Sequence, residues 1–170
     1  MKKRREVAWR SLWVGQRKLD GLCGWSVFGN VVDALLFEGV KVNDISKLVP
    51  KDKFDNSNME VLKTIDIDKV KPILEQLLNW MQDINWPVAQ ELIKILPRFH
   101  FELISHIKIV FNSNDDDWKN WVLCLMKNFP RESVLRLSSD IKRIAQYPTI
   151  GEMEAETNMY ANEVIEIFNL

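Results

Sequence analysis

Three adjacent carboxylates (Asp115, Asp116 and Asp117), two histidines (His100 and His106) and two cysteines (Cys23 and Cys124) are the residues of this 170-residue chain best equipped for chemistry. An aspartate triplet can hold a divalent cation where its oxygens converge, usually on a loop turned by glycine. Here the triplet follows Asn112-Ser113-Asn114 and runs straight into Trp118 and an apolar stretch. Carboxylates in that position suit the exposed amides and the positive end of a helix. Capping explains them with fewer assumptions, and no metal site is expected. His100 and His106 are six residues apart, not the four that place two ligands on one helical face. No His-Glu-x-x-His or Cys-x-x-Cys pattern occurs, and no glycine-rich phosphate loop or nucleophile elbow. Cys124 lies between Leu123 and Leu125, where a core thiol is expected, since a nucleophile needs a lowered pKa and a nearby base. The sequence therefore predicts no catalytic residue and no cofactor.

Tryptophan offers a different kind of chemistry. It is enriched at the centres of protein interfaces, and Trp80, Trp86, Trp118 and Trp121 all fall near predicted helix ends. The predicted contact residues are Trp86, Asp115, Asp116, Asp117, Trp118 and Trp121, with Asp83 and Glu91 extending an acidic rim. Such a surface repels nucleic acid and speeds the approach of a basic protein.

The elements that must position these residues are helical. Asn85-Trp86-Pro87-Val88-Ala89 and Asp117-Trp118-Lys119-Asn120-Trp121-Val122 each open an apolar helix, 32 to 35 residues apart. Helical-hairpin repeats recur every roughly 30 to 47 residues, because a single hairpin cannot bury its apolar face without a stacked neighbour. Val70, Ile73, Leu74, Leu77, Leu78 and Met81 recur at three- and four-residue steps, predicting a helix over 68–83 capped by Asp68. Asn85 is expected to cap a helix over 86–96, and further helices are expected over 101–111 and 117–129. A short helix carries Val134, Leu135 and Leu137, and Ser138 or Ser139 caps the next. After Pro148 a last helix carries Met153, Met159, Tyr160, Val164, Ile167 and Phe168. Asn56 or Ser57 caps a shorter helix near Met59, behind a loop at Leu48–Asp55. No stretch alternates with period two for long. The fold class is all-α, as HEAT-like stacked antiparallel helical hairpins, with 68–83 paired to 86–96 and 101–111 paired to 117–129.

Composition is that of a globular protein: 46% hydrophobic and 28% charged, with a net charge of -1. That balance conceals an asymmetry. Through Lys41 there are eight Lys/Arg against four Asp/Glu; from Val42 onward there are fifteen against twenty. Five of the six glycines also precede Val42. A boundary is expected there, giving a 1–41 extension and a single helical domain over 42–170. The start, Lys2-Lys3-Arg4-Arg5, suggests a signal peptide, but Arg10, Arg17, Lys18 and Asp20 deny it a clean apolar core. No membrane span is expected, since none of it approaches 20 apolar residues. Two readings stand for 1–41. It is a genuine extension packed through Val31, Leu35, Leu36 and Phe37, or it is translated leader, with Glu38-Gly39-Val40-Lys41-Val42 concealing a ribosome-binding sequence before a GTG start at Val42.

From Val42 to Phe168 the chain resembles a bacterial family known as domain-of-unknown-function family 5071. Five segments carry the resemblance: Leu48–Asp55, Asn85–Ala89, His106–Lys108, Asp116–Trp121 and Pro148–Glu152. It implies a compact helical fold and no activity, and residues 1–41 have no counterpart in it.

Together these readings predict a cytoplasmic, non-catalytic protein-interaction module of bacterial immunity or accessory type, sequestering a partner such as a basic toxin domain. The rivals are a HEAT-like nucleic-acid-processing enzyme, disfavoured by the acidic body, and a binder of small molecules in a tryptophan-lined pocket. Oligomeric state is not legible.

Overall fold

A computed structural model describes residues 44–170. The expected boundary near residue 41, the packing of Val31, Leu35, Leu36 and Phe37, and Cys23 lie outside the described residues. Within them every regular element is a helix or a 3-10 turn, and the fold is all-α.

The N-terminal loop is held by its own aspartates. Asp44 caps the turn Ile45–Leu48 by accepting from the Ser46 amide, and Asp52 accepts from Phe54 N at 2.8 Å. Helix α1 (Met59–Thr64) begins at Asn58, not at Asn56 or Ser57; the Ser57 amide and hydroxyl are drawn back to Asp55. Asp66, two residues before the expected Asp68, caps α2 (Ile67–Val70) by accepting from Asp68 N at 2.8 Å.

The helix expected over 68–83 is broken. Pro72 supplies no amide and fixes its own φ, so the chain passes through a 3-10 turn, Lys71–Ile73, before α3 (Leu74–Asn79) and a second turn, Trp80–Gln82. Its apolar stripe nonetheless faces inward: Val70, Ile73, Leu74, Leu77, Leu78 and Met81 are all buried.

Helix α4 (Pro87–Ile95) starts at Trp86, with proline in its first turn; Asn85 does not cap it, because its amide and side chain both donate to Asp83. A first-turn amide has no partner within its own helix, and that of Val88 donates to Lys53 O at 3.1 Å. That bond ties the N-terminal loop to α4. Pro97 tightens the end of this helix into a 3-10 turn, Leu96–Phe99, and Arg98 reaches back to Leu62 O (2.7 Å) and Ile65 O (3.1 Å) at the end of α1. Cations at helix C-termini satisfy such orphan carbonyls.

Helix α5 (Ile104–Phe111) packs on α6 (Asp116–Met126). The chain continues through α7 (Arg131–Leu135) and α8 (Ser138–Gln146), whose cap residue is Leu137, not Ser138 or Ser139. The last expected helix divides into α9 (Ile150–Glu154) and α10 (Thr157–Phe168), at Glu156 in a left-handed conformation (φ 59°). Helix α10 lies against α8 and α6.

A buried charge cluster beneath an acidic and apolar face as the candidate functional site

The site is built from the short helix α9. Thr149 starts it with a capping box: its hydroxyl accepts from Glu152 N (3.2 Å), and the Glu152 carboxylate accepts from Thr149 N (2.9 Å). This satisfies two orphan amides at once. It also turns the Glu152 side chain inward, where it is fully buried (0% exposed).

Burying a carboxylate costs several kcal/mol unless cations meet it. Arg143 of α8 donates to both of its oxygens, at 2.7 and 2.8 Å, and the buried Lys119 of α6 donates at 2.9 Å. Lys119 also donates to Asp116 at 2.8 Å. Burial pushes the Glu152 carboxyl up, but Arg143, Lys119 and the Thr149 amide outweigh it and bring its pKa down to about 2. The hydrogen bond to Glu152 in turn holds the Arg143 guanidinium above its usual range. Gly151 completes the fit, since a Cβ there would collide with the Asp116 carboxylate. The cluster thus locks α6, α8 and α9 together through groups that neutralise one another.

Above the lock lies a surface. Asp115 caps α6, accepting from Trp118 N at 3.0 Å, yet stays exposed, as does Asp117. The phenol of Tyr160 on α10 is pushed up by burial, then by Cys124, Glu163, Glu156 and Asp117. Beside the start of α9, Tyr147 (75%), Ile150 (73%) and Met153 (52%) are exposed.

The predicted contact residues are placed as follows. Asp115 and Asp117 reach the surface, whereas Asp116 turns toward Lys119, so the three carboxylates diverge. Among the described residues no group of three or more His, Cys, Asp or Glu is arranged to hold a metal ion. Trp118 is half-buried and donates its indole N–H to Leu78 O at 3.2 Å. Trp121 is half-buried against the core, and Trp86 meets Trp80 edge to face with centroids 5.6 Å apart. Asp83 is taken up by Asn85, and Glu91 by Lys94.

The two histidines have separate surroundings. His100 Nδ1 meets Ser133 Oγ at 2.6 Å, but the Ser133 side chain is fully buried and closed to a substrate. His106 lines a small notch with Trp118, about 30 Å³ in volume. Burial pushes the Cys124 thiol up to about 11, so it is protonated near neutral pH.

Sequence reasoning missed Lys119, Arg143, Glu152, Tyr147 and Ile150. The spacing Thr149-x-x-Glu152 is itself the capping-box signature and could have located α9. Nothing comparable signals a contact spanning 33 residues, as between Lys119 and Glu152.

Segments far apart in sequence meet in this architecture. Leu48–Asp55 joins Asn85–Ala89 through the Lys53–Val88 bond, Asp116–Trp121 joins Pro148–Glu152 in the charge cluster, and His106 shares its notch with Trp118. A family model described as Domain of unknown function (DUF5071) matches residues 48–165. The chain belongs to this family. No curated protein matches it.

Proposed function

We propose that this member of the family is a non-catalytic protein-interaction module: a HEAT-like stack of helical hairpins, cytoplasmic, that sequesters a basic protein partner. A bacterial immunity or accessory protein acting on a toxin domain is the concrete form of the proposal. The observation that carries it is the acidic start of α6, where Asp115 and Asp117 stand exposed on a base whose own charges are internally paired. Charges fixed on a rigid support attract a complementary partner without first paying the entropy of being ordered. Asp115 and Asp117 would meet the partner directly, and Trp86, Trp118 and Trp121 would contribute the exposed parts of their rings.

Affinity capture by the full chain from its host lysate tests this. A basic protein should be recovered, released by raised salt, and lost with the double substitution Asp115→Asn/Asp117→Asn. Recovery of no protein, or of one indifferent to both salt and the double substitution, contradicts the proposal.

A further inference from the structure

Exposed apolar side chains scattered singly over a surface need no explanation, but a group of them rimmed by polar residues marks a contact site. Tyr147, Ile150 and Met153 fall within seven residues of chain, and Ile150 and Met153, three apart on α9, share a helical face. Two other exposed aromatics each carry a cation over the ring: Lys53 lies 5.2 Å from the Phe54 centroid and Arg136 4.8 Å from that of Phe101. Among the described residues no cation lies over Tyr147.

The exposed charges flanking the trio in sequence and across the contact between Gly151 and Asp116 are mostly negative. Asp115, Asp117, Glu154 and Glu156 are exposed and form no ion pair among the described residues. Lys119 and Arg143 are engaged with Glu152, whereas Lys142 on α8, five residues before Tyr147, is exposed and forms no ion pair among the described residues. Gly151 against Asp116 brings the start of α9 to the start of α6, and Glu154 follows Met153 directly on α9. Glu152, between Gly151 and Met153, pins the backbone beneath them.

We propose that the face formed by Tyr147, Ile150 and Met153, rimmed by Asp115, Asp117 and Glu154, docks a cationic amphipathic helix of a protein partner. Its apolar stripe would cover the trio and its lysines or arginines would meet the rim. Charge selects this occupant. Anionic lipid and nucleic acid are repelled by the rim. A second copy joined through a two-fold axis would set the rim against itself. The docking site rests on the reading of the chain as a protein-binding module, and specifies which surface binds and what it takes.

The test uses the full chain, isotope-labelled, and a Leu/Lys amphipathic peptide of about five helical turns. Saturable binding is expected, with amide shifts concentrated in 115–119 and 147–154. Affinity should fall about tenfold or more in Tyr147→Ser/Ile150→Ser, as for truncated interface anchors, and should weaken with salt. Both side chains are exposed, so the variant should melt like the parent. Equal binding of a Leu/Glu peptide of the same pattern, shifts confined to other helices, or undiminished affinity in the variant overturns the proposal. So does binding of phosphatidylserine vesicles through this face, or self-association that the variant abolishes, since each names a different occupant. A host partner whose capture survives Tyr147→Ser/Ile150→Ser overturns this docking site and leaves the functional reading standing. Peptide binding here with no host partner recovered supports the site and removes the reading.

Discussion

Gly151 and Glu152 are adjacent and do opposite things for the same cluster. Gly151 contributes by lacking a side chain, because a Cβ would collide with Asp116 Oδ2 and force the carboxylate, which holds Lys119 through Oδ1, to shift. Alanine is otherwise the better helix former, by up to about 1 kcal/mol. Gly151→Ala should therefore cost about 1 kcal/mol in the parent, but stabilise the Asp116→Ala background by about 0.5 kcal/mol. Denaturant melts of the four proteins would show this change of sign. Equal effects in both backgrounds would mean that the close approach does not matter.

Glu152 contributes by remaining ionised where no water reaches it. Its pKa, about 2 in the fold, lies below the ordinary 4.5. Its contribution is therefore complete above about pH 4.5 and is lost as the pH falls through 2. The shift corresponds to about 3 kcal/mol. The parent should lose stability steeply over that acid range, while Glu152→Gln, already weakened by a few kcal/mol at pH 7, should show a shallower acid slope. Parallel slopes for the two proteins would assign the acid sensitivity to other carboxylates.

Among the elements, α9 is too short to persist unaided and depends on its cap. Thr149→Ala should cost about 1 kcal/mol and raise amide exchange in 150–154 ahead of α6. Exchange raised equally in both would show that α9 is held by the ion pairs alone.

The elements also show what a sequence can reveal. The stripe from Val70 to Met81 is readable because its period of three and four residues survives the 3-10 turn at Pro72. Cap residues slip by one or two positions, because neighbouring side chains compete: Asp83 takes Asn85, and Asp55 takes Ser57. Met153, Met159 and Ile167 continue an apolar rhythm but point outward, as α10 buries Ala161 and Val164 instead. Periodicity identifies a helical face without saying what covers it. The charge cluster was invisible for a related reason. Arg143 and Lys119 lie 9 and 33 residues from Glu152, and only the packing of α6, α8 and α9 brings them together. Of the candidate contact residues, Asp115 and Asp117 were legible as an acidic helix start, whereas Tyr147 and Ile150 carry no sequence signature of exposure.

For the whole molecule, fifteen Lys/Arg against twenty Asp/Glu beyond residue 41 give a negative body. Several of its cations are occupied in ion pairs: Lys63, Lys71, Lys94, Lys119, Lys127 and Arg143. Among the described residues no helix is long and apolar enough to cross a membrane. A negative body should capture a basic partner through its association rate, which salt slows steeply. Stopped-flow mixing at rising ionic strength should show that rate falling by about tenfold or more between low and physiological salt, with dissociation nearly constant. A change confined to dissociation would point to an apolar interface with no electrostatic steering.

Hydrogen–deuterium exchange of the full chain, alone and saturated with its captured partner, tests the central claim most directly. Protection should appear at 115–119 and 147–154, leaving the exposed turns around Phe54 and Phe101 unchanged. Protection confined to those turns, or absent from both α6 and α9, would contradict a docking surface built on the charge cluster.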